Sequence, residues 1–258
     1  MKIRAGSWLV AAVAVVATTT GAEAQRRGDA YSYREPVPTA LVGLHLLGAD
    51  PVGEFGEVVD QGFGLAVEGS FPLVGDGALR LRTDGGFIIY GHERKSVCFP
   101  VPVGCRIGLD LTTSNTIFFL GAGPEIAVPY GPLRPYVNAT AGFSYFVTIS
   151  SLSGDDEWDD WGDTRNFSDF VGSVKLGGGI RALLRDGRKP IHLDLGVQYH
   201  RNGVTRYLRE GDIVDEPDGS ITLYPNRSEA NLVTYRIGVS FGIPIGGNDD
   251  GWDRRRRR

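Results

Sequence analysis

Leu232-Val233-Thr234-Tyr235-Arg236-Ile237-Gly238-Val239-Ser240-Phe241-Gly242-Ile243-Pro244-Ile245 is the stretch whose reading decides the fold. In an extended chain successive side chains point to opposite faces. Val233, Tyr235, Ile237, Val239, Phe241, Ile243 and Ile245 then share one apolar face. Leu232, Thr234, Arg236, Gly238, Ser240 and Gly242 share a face of small and polar groups. This period of two predicts a strand and excludes an amphipathic helix. The stretch also exceeds the roughly 9 to 11 residues with which a tilted strand crosses a bilayer.

Seven further segments carry the same alternation, at residues 39 to 48, 61 to 73, 78 to 90, 114 to 128, 134 to 149, 170 to 184 and 190 to 200. Three of the connections are short and rich in Gly or Pro: Val74 to Gly77, Pro129 to Leu133, and Arg185 to Lys189. Four are long and polar, at 49 to 60, 91 to 113, 150 to 169 and 201 to 231. Long and short connections alternate, as an up-and-down barrel with both termini at one end requires. The expected fold is therefore all-β, a transmembrane antiparallel eight-stranded up-and-down barrel over residues 39 to 245. Its short turns are expected on the periplasmic side and its long loops outside.

The distribution of charge decides which face meets lipid. Glu68, Arg80, Arg82, Asp84, Glu125, Arg134, Lys175, Arg181, Asp194 and Arg236 all fall on the less apolar face of their segments. Ten independent choices would agree in this way about once in a thousand cases, given that a one-residue slip exchanges the faces. Lys or Arg facing lipid at the midplane costs about 2 to 4 kcal/mol, which accounts for the exclusion. The same face holds many of the chain's 37 glycines, and small residues with paired ions suit the narrow interior of an eight-stranded barrel. A soluble barrel would turn this face to water, where Lys, Glu and Thr would serve better than Gly. The interior is thus expected to be a salt-bridged plug, with His45, His192 and His200 as polar fillers rather than metal ligands. Tyr90, Tyr130, Tyr136, Phe146, Tyr199, Tyr207 and Tyr235 lie near segment ends and are expected to anchor the barrel at the interfaces. Pro124 is expected to cause a bulge or an early strand end.

Residues 1 to 24 read as a secretory signal. Lys2 and Arg4 precede an apolar run from Trp8 to Ala17, and Ala22-Glu23-Ala24 precedes Gln25. Residues 25 to 38 are expected to form a periplasmic segment, and 246 to 258 a polar tail ending in Arg254 to Arg258. Between leader and arginine run, 30 acidic residues face 20 basic ones, which excludes a nucleic-acid-binding body.

These features resemble the small eight-stranded outer-membrane barrels of the OmpX and OmpA-transmembrane-domain type. Arg236, Gly238, Phe241 and Ile243 match, in order, the polar, glycine, aromatic and hydrophobic positions of that family's assembly signal in the last strand. The family ends its barrel near a terminal aromatic, whereas 15 residues follow Ile243 here. The resemblance implies insertion by the outer-membrane assembly machinery, contact with outer-membrane lipids and lipopolysaccharide, and a monomeric protein of the bacterial outer membrane.

Candidate chemistry is sparse. Cys98 and Cys105, in a secreted chain, are expected to close a small disulfide loop. Asp155, Asp156, Glu157, Asp159, Asp160 and Asp163 surround Trp158 and Trp161, but their order is not that of a calcium loop. They read as a solvated acidic loop whose tryptophans could touch lipopolysaccharide or a partner. Tyr199-His200-Arg201-Asn202-Gly203 faintly resembles the His-x-Ser-Asn stretch of the lipid A 3-O-deacylases, of which only His200 is carried over, because no hydroxyl stands two residues on. No catalytic residue, cofactor or metal site is expected. The expected role is structural or surface-recognitive, the alternatives being a narrow pore for small solutes or a lipid A-modifying enzyme.

Overall fold

The computed structural model describes residues 39–98, 108–153, 160–187, 189–209, 211–215 and 221–245. β1 (Thr39–Pro51) leads through a short helix, α1 (Phe55–Val58), into β2 (Gly62–Pro72), β3 (Leu79–Cys98), β4 (Gly108–Ala127), β5 (Leu133–Ser153), β6 (Asp160–Arg185) and β7 (Ile191–Asn202). Four short strands follow: β8 (Val204–Tyr207), β9 (Ile213–Asp215), β10 (Ile221–Leu223) and β11 (Asn226–Glu229). β12 (Leu232–Pro244) ends the series. β1 pairs antiparallel with both β2 and β12, so the sheet β1-β12-β7-β6-β5-β4-β3-β2 closes on itself. Register runs without a shift from Thr39 opposite Pro244 to Pro51 opposite Leu232. Two small pairs, β8 with β11 and β9 with β10, stand apart from the barrel ladder.

The side chains sort as the alternation predicts. Leu44, Leu46, Phe63, Val67, Phe118, Leu120, Val137, Leu176, Leu195, Ile237 and Phe241 are exposed. No ionised side chain interrupts this outer ring from the short turns up to the level of Gly48 and its partner Tyr235. So much contiguous apolar surface is untenable in water and suits acyl chains. No helix among the described residues is long and apolar enough to cross a membrane; strands make the crossing.

The strand lengths correct the sequence reading. Stretches 91 to 113 and 150 to 169, expected as loops, are largely strand: β3 runs to Cys98, β4 starts at Gly108, β5 runs to Ser153 and β6 starts at Asp160. Above the belt both faces of a strand meet polar surroundings, so pairing continues after the apolar alternation has stopped. Leu111-Thr112-Thr113-Ser114-Asn115-Thr116 illustrates this, a polar, partly β-branched run that keeps its partners on both β3 and β5.

Pro124 is a second correction. It stays within β4, opposite Leu81 of β3, and the pairing with β5 is skipped beside it. Ala122 opposite Ala141 and Glu125 opposite Asn138 keep one register across the gap, so there is neither bulge nor early end. Irregularities fall instead at Ile89/Gly91, Thr148/Ile149, Leu152/Ser153 and Leu183/Arg185. Close backbone approach explains two of the interior glycines: a Cβ on Gly64 would lie 1.9 Å from Phe87 O, and one on Gly142 2.0 Å from Leu120 O.

Candidate functional site

The barrel interior is the candidate site, and each of the eight barrel strands sends one polar side chain to its centre. In strand order these are His45, Glu68, Arg82, Glu125, Tyr136, Arg181, Asp194 and Arg236. The period of two delivers them inward, and closure of the sheet brings residues as far apart as Glu68 and Arg181 into contact. Arg181 Nη1 donates to Glu125 Oε1 (2.8 Å), and Nη2 donates to Glu125 Oε2 (2.8 Å) and Glu68 Oε1 (2.7 Å). Its Nε donates to Asp194 Oδ2 at 3.1 Å. Arg82 spans the same two glutamates, Nη1 to Glu125 Oε2 at 2.8 Å and Nη2 to Glu68 Oε2 at 2.5 Å. The Tyr136 hydroxyl donates to Asp194 Oδ1 and accepts from Arg236 Nη2, each at 2.6 Å. The Tyr136 ring lies 4.1 Å from the Arg181 guanidinium carbon, a cation–π contact that offsets part of the desolvation.

Toward the short turns, Ser70 donates to Glu125 and accepts from Arg80, whose Nη2 also reaches the Thr39 and Ser70 carbonyls at 2.8 Å each. Arg134 is the exception among the ten interior charges: it is half-buried and donates to Gly131 O in its own turn. The other nine are buried. Toward the long loops, Lys175 Nζ lies 2.8 Å from Asp84 and 4.7 Å above the Phe119 ring. His200 is buried, packs edge-on against Phe119 and lies 3.1 Å from Thr234 Oγ1. His192 is likewise buried.

Interior glycines make the room. A Cβ on Gly196 would sit 2.5 Å from Arg236 Nε, and one on Gly121 3.0 Å from Lys175 Nζ. Arg236 and Lys175 each lie across a residue without a side chain, a steric reason for Gly and ions to share this face.

Above the ions lies an apolar stopper that the sequence reading missed. Phe55 of α1 is fully buried, with its ring centroid 4.8 Å from Tyr207, 5.6 Å from Tyr90 and 6.3 Å from Phe146. Leu47, Ile88, Ile117, Ala230 and Leu232 are among the other members of the cluster. The Tyr90 hydroxyl donates to Leu208 O at 3.2 Å, and the Tyr207 and Ser228 hydroxyls lie 2.9 Å apart. Burial pushes the Tyr207 hydroxyl above the usual phenol range. Of the seven aromatics expected at the interfaces, Tyr130, Tyr199 and Tyr235 are exposed, whereas Tyr90, Tyr136, Phe146 and Tyr207 point inward. The register of β3 and β5 could have placed Tyr90, Tyr136 and Phe146, because they fall on the polar face. Nothing local marks Phe55, which sits in a polar loop.

His45 Nε2 and one oxygen each of Glu68 and Asp194 lie within 4.8 Å of one another, a spacing that a cation could bridge. Arg82, Arg181 and Arg236 already supply the positive charge around these carboxylates. In the assembly signal, Arg236 and Gly238 face the lumen and Phe241 and Ile243 face out, each half-exposed. The Cys98–Cys105 pair, the leader, the segment at 25 to 38, acidic residues 155 to 159 and the arginine tail involve residues outside those described. Asp160 and Asp163 begin β6.

No protein family's sequence pattern and no curated protein sequence matches the chain. Among solved structures the chain is similar to Neisserial surface protein A, at 12% identity over 80% of this chain and 97% of that one, with a TM-score of 0.40. It is also similar to Ail, the attachment invasion locus protein of Yersinia pestis, at 8% identity over 81% and 100% with a TM-score of 0.40. A major outer membrane protein from Thermus thermophilus gives 14% identity over 79% and 99%, with a TM-score of 0.36.

Proposed function

We propose that the chain is an integral outer-membrane barrel of a diderm bacterium that neither conducts nor catalyses, and that its work is structural or surface-recognitive. The observation that carries this reading is the double seal of the lumen: an ionic cluster fed by all eight strands, closed over by Phe55, Tyr90, Phe146 and Tyr207. A solute would have to break both layers to pass. The extended ends of β3 to β6 then form the surface offered to the outside, with Arg94 paired to Asp110 and Asn166 donating to Ser150 (2.6 Å) across adjacent strands. A leader cleaved before Gln25, insertion through Arg236, Gly238, Phe241 and Ile243, a Cys98–Cys105 disulfide, and a monomer in contact with lipopolysaccharide belong to the same proposal.

Planar-bilayer recording tests it. The mature chain is expected to insert and stay silent, whereas reproducible current steps in potassium chloride would make the narrow-pore reading correct instead.

A further inference from the structure

Between the ionic cluster and the stopper the packing leaves a cavity of about 10 Å³, lined by His45, Glu68, Arg82, Asp84, Gln198, His200, Thr234 and Arg236 among others. Four of these side chains, all more than nine-tenths buried, carry an atom with no hydrogen-bond partner in the protein: His45 Nε2, Arg82 Nε, Arg236 Nε and both Asp84 carboxylate oxygens. Asp84 has Lys175 as an ion-pair neighbour at 2.8 Å, outside hydrogen-bond geometry. Other unpartnered polar atoms lie on lumen residues outside the lining, among them His192, Asn138 and Ser173, whereas five unpartnered atoms converge on this one cavity.

We propose that this cavity is a binding site for one water molecule, held as a permanent part of the plug. Three properties of the lining select that ligand. The first is charge: Glu68 and Asp84 balance Arg82 and Arg236, which favours a neutral occupant over a halide or an alkali cation. The second is hydrogen-bond sense. The two Nε–H groups need an acceptor and the Asp84 carboxylate needs a donor, so the occupant must do both, and neither chloride nor sodium can. The third is size, since a cavity of this volume takes a single water and nothing larger. Water bound there would join the Asp84–Lys175 pair to the arginine cluster and relieve donors that are costly to leave unpaired.

The test is a crystal structure of the mature chain, with matched crystals grown in bromide and in rubidium salts. One ordered peak within hydrogen-bond distance of Asp84, without anomalous signal in either salt, is expected. No peak, a bromide signal or a rubidium signal at that place would each overturn the assignment. Ala66 also lines the cavity, and Ala66→Leu fills it. That variant is expected to keep heat-modifiable gel mobility and lose the peak; a peak persisting there at the same position would also count against the assignment.

Discussion

Arg181→Met is expected to be the most damaging single substitution in the lumen. Arg181 donates four hydrogen bonds to three carboxylates, Glu125, Glu68 and Asp194, all buried. Without it Arg80, Arg82 and Arg236 must balance the same three negative charges, and among the described residues Asp194 keeps no arginine salt bridge of its own. Removing one partner of a buried ion pair costs about 3 to 5 kcal/mol, and a residue serving three partners belongs at the upper end of that range. Arg181→Lys is expected to recover little, because an ammonium cannot reproduce two parallel donations to Glu125 along with the reach to Asp194. Urea unfolding in lipid vesicles measures both variants. A loss below about 1 kcal/mol for Arg181→Met, the scale of an exposed ion pair, would mean that the cluster is wet and does not seal the lumen.

Leu46→Arg probes the opposite face. Leu46 lies near the middle of β1, opposite Ile237 and Leu65, and is 63% exposed. On a soluble barrel an exposed Leu→Arg change falls within about 0.5 kcal/mol of neutral. Facing acyl chains near the midplane it is expected to cost about 2 to 4 kcal/mol and to lower the inserted fraction. The same substitution at Val204, exposed on β8 outside the barrel ladder, is expected to be nearly neutral. Equal effects at the two positions would refute the belt.

The parts of the fold legible in sequence were those that the bilayer imposes. Lipid on one side and a cramped lumen on the other force the alternation of β12, and so the inward placement of Glu68, Arg82, Glu125, Lys175, Arg181, Asp194 and Arg236 could be read residue by residue. Above the belt that constraint ends. The far halves of β3, β4 and β6 are largely polar and that of β5 is mixed, so their pairing follows from neighbours already in register rather than from a sustained alternation. The stopper was hidden for a related reason. Phe55 and Tyr207 lie in the connections between barrel strands, and only closure of the barrel places them over Tyr90 and Phe146. Which acid meets which base was also out of reach, since Arg181 and Glu68 are 113 residues apart and meet across the lumen.

The most direct test of the inside-out arrangement is methyl NMR of the native chain in nanodiscs containing doxyl-labelled lipid. Leu44, Leu46, Leu176, Leu195 and Ile237 methyl signals are expected to be broadened. Those of Leu47, Ile88, Ile117 and Leu232 should keep their intensity. Broadening of the second group with sparing of the first, or no difference between them, would contradict the account at its foundation.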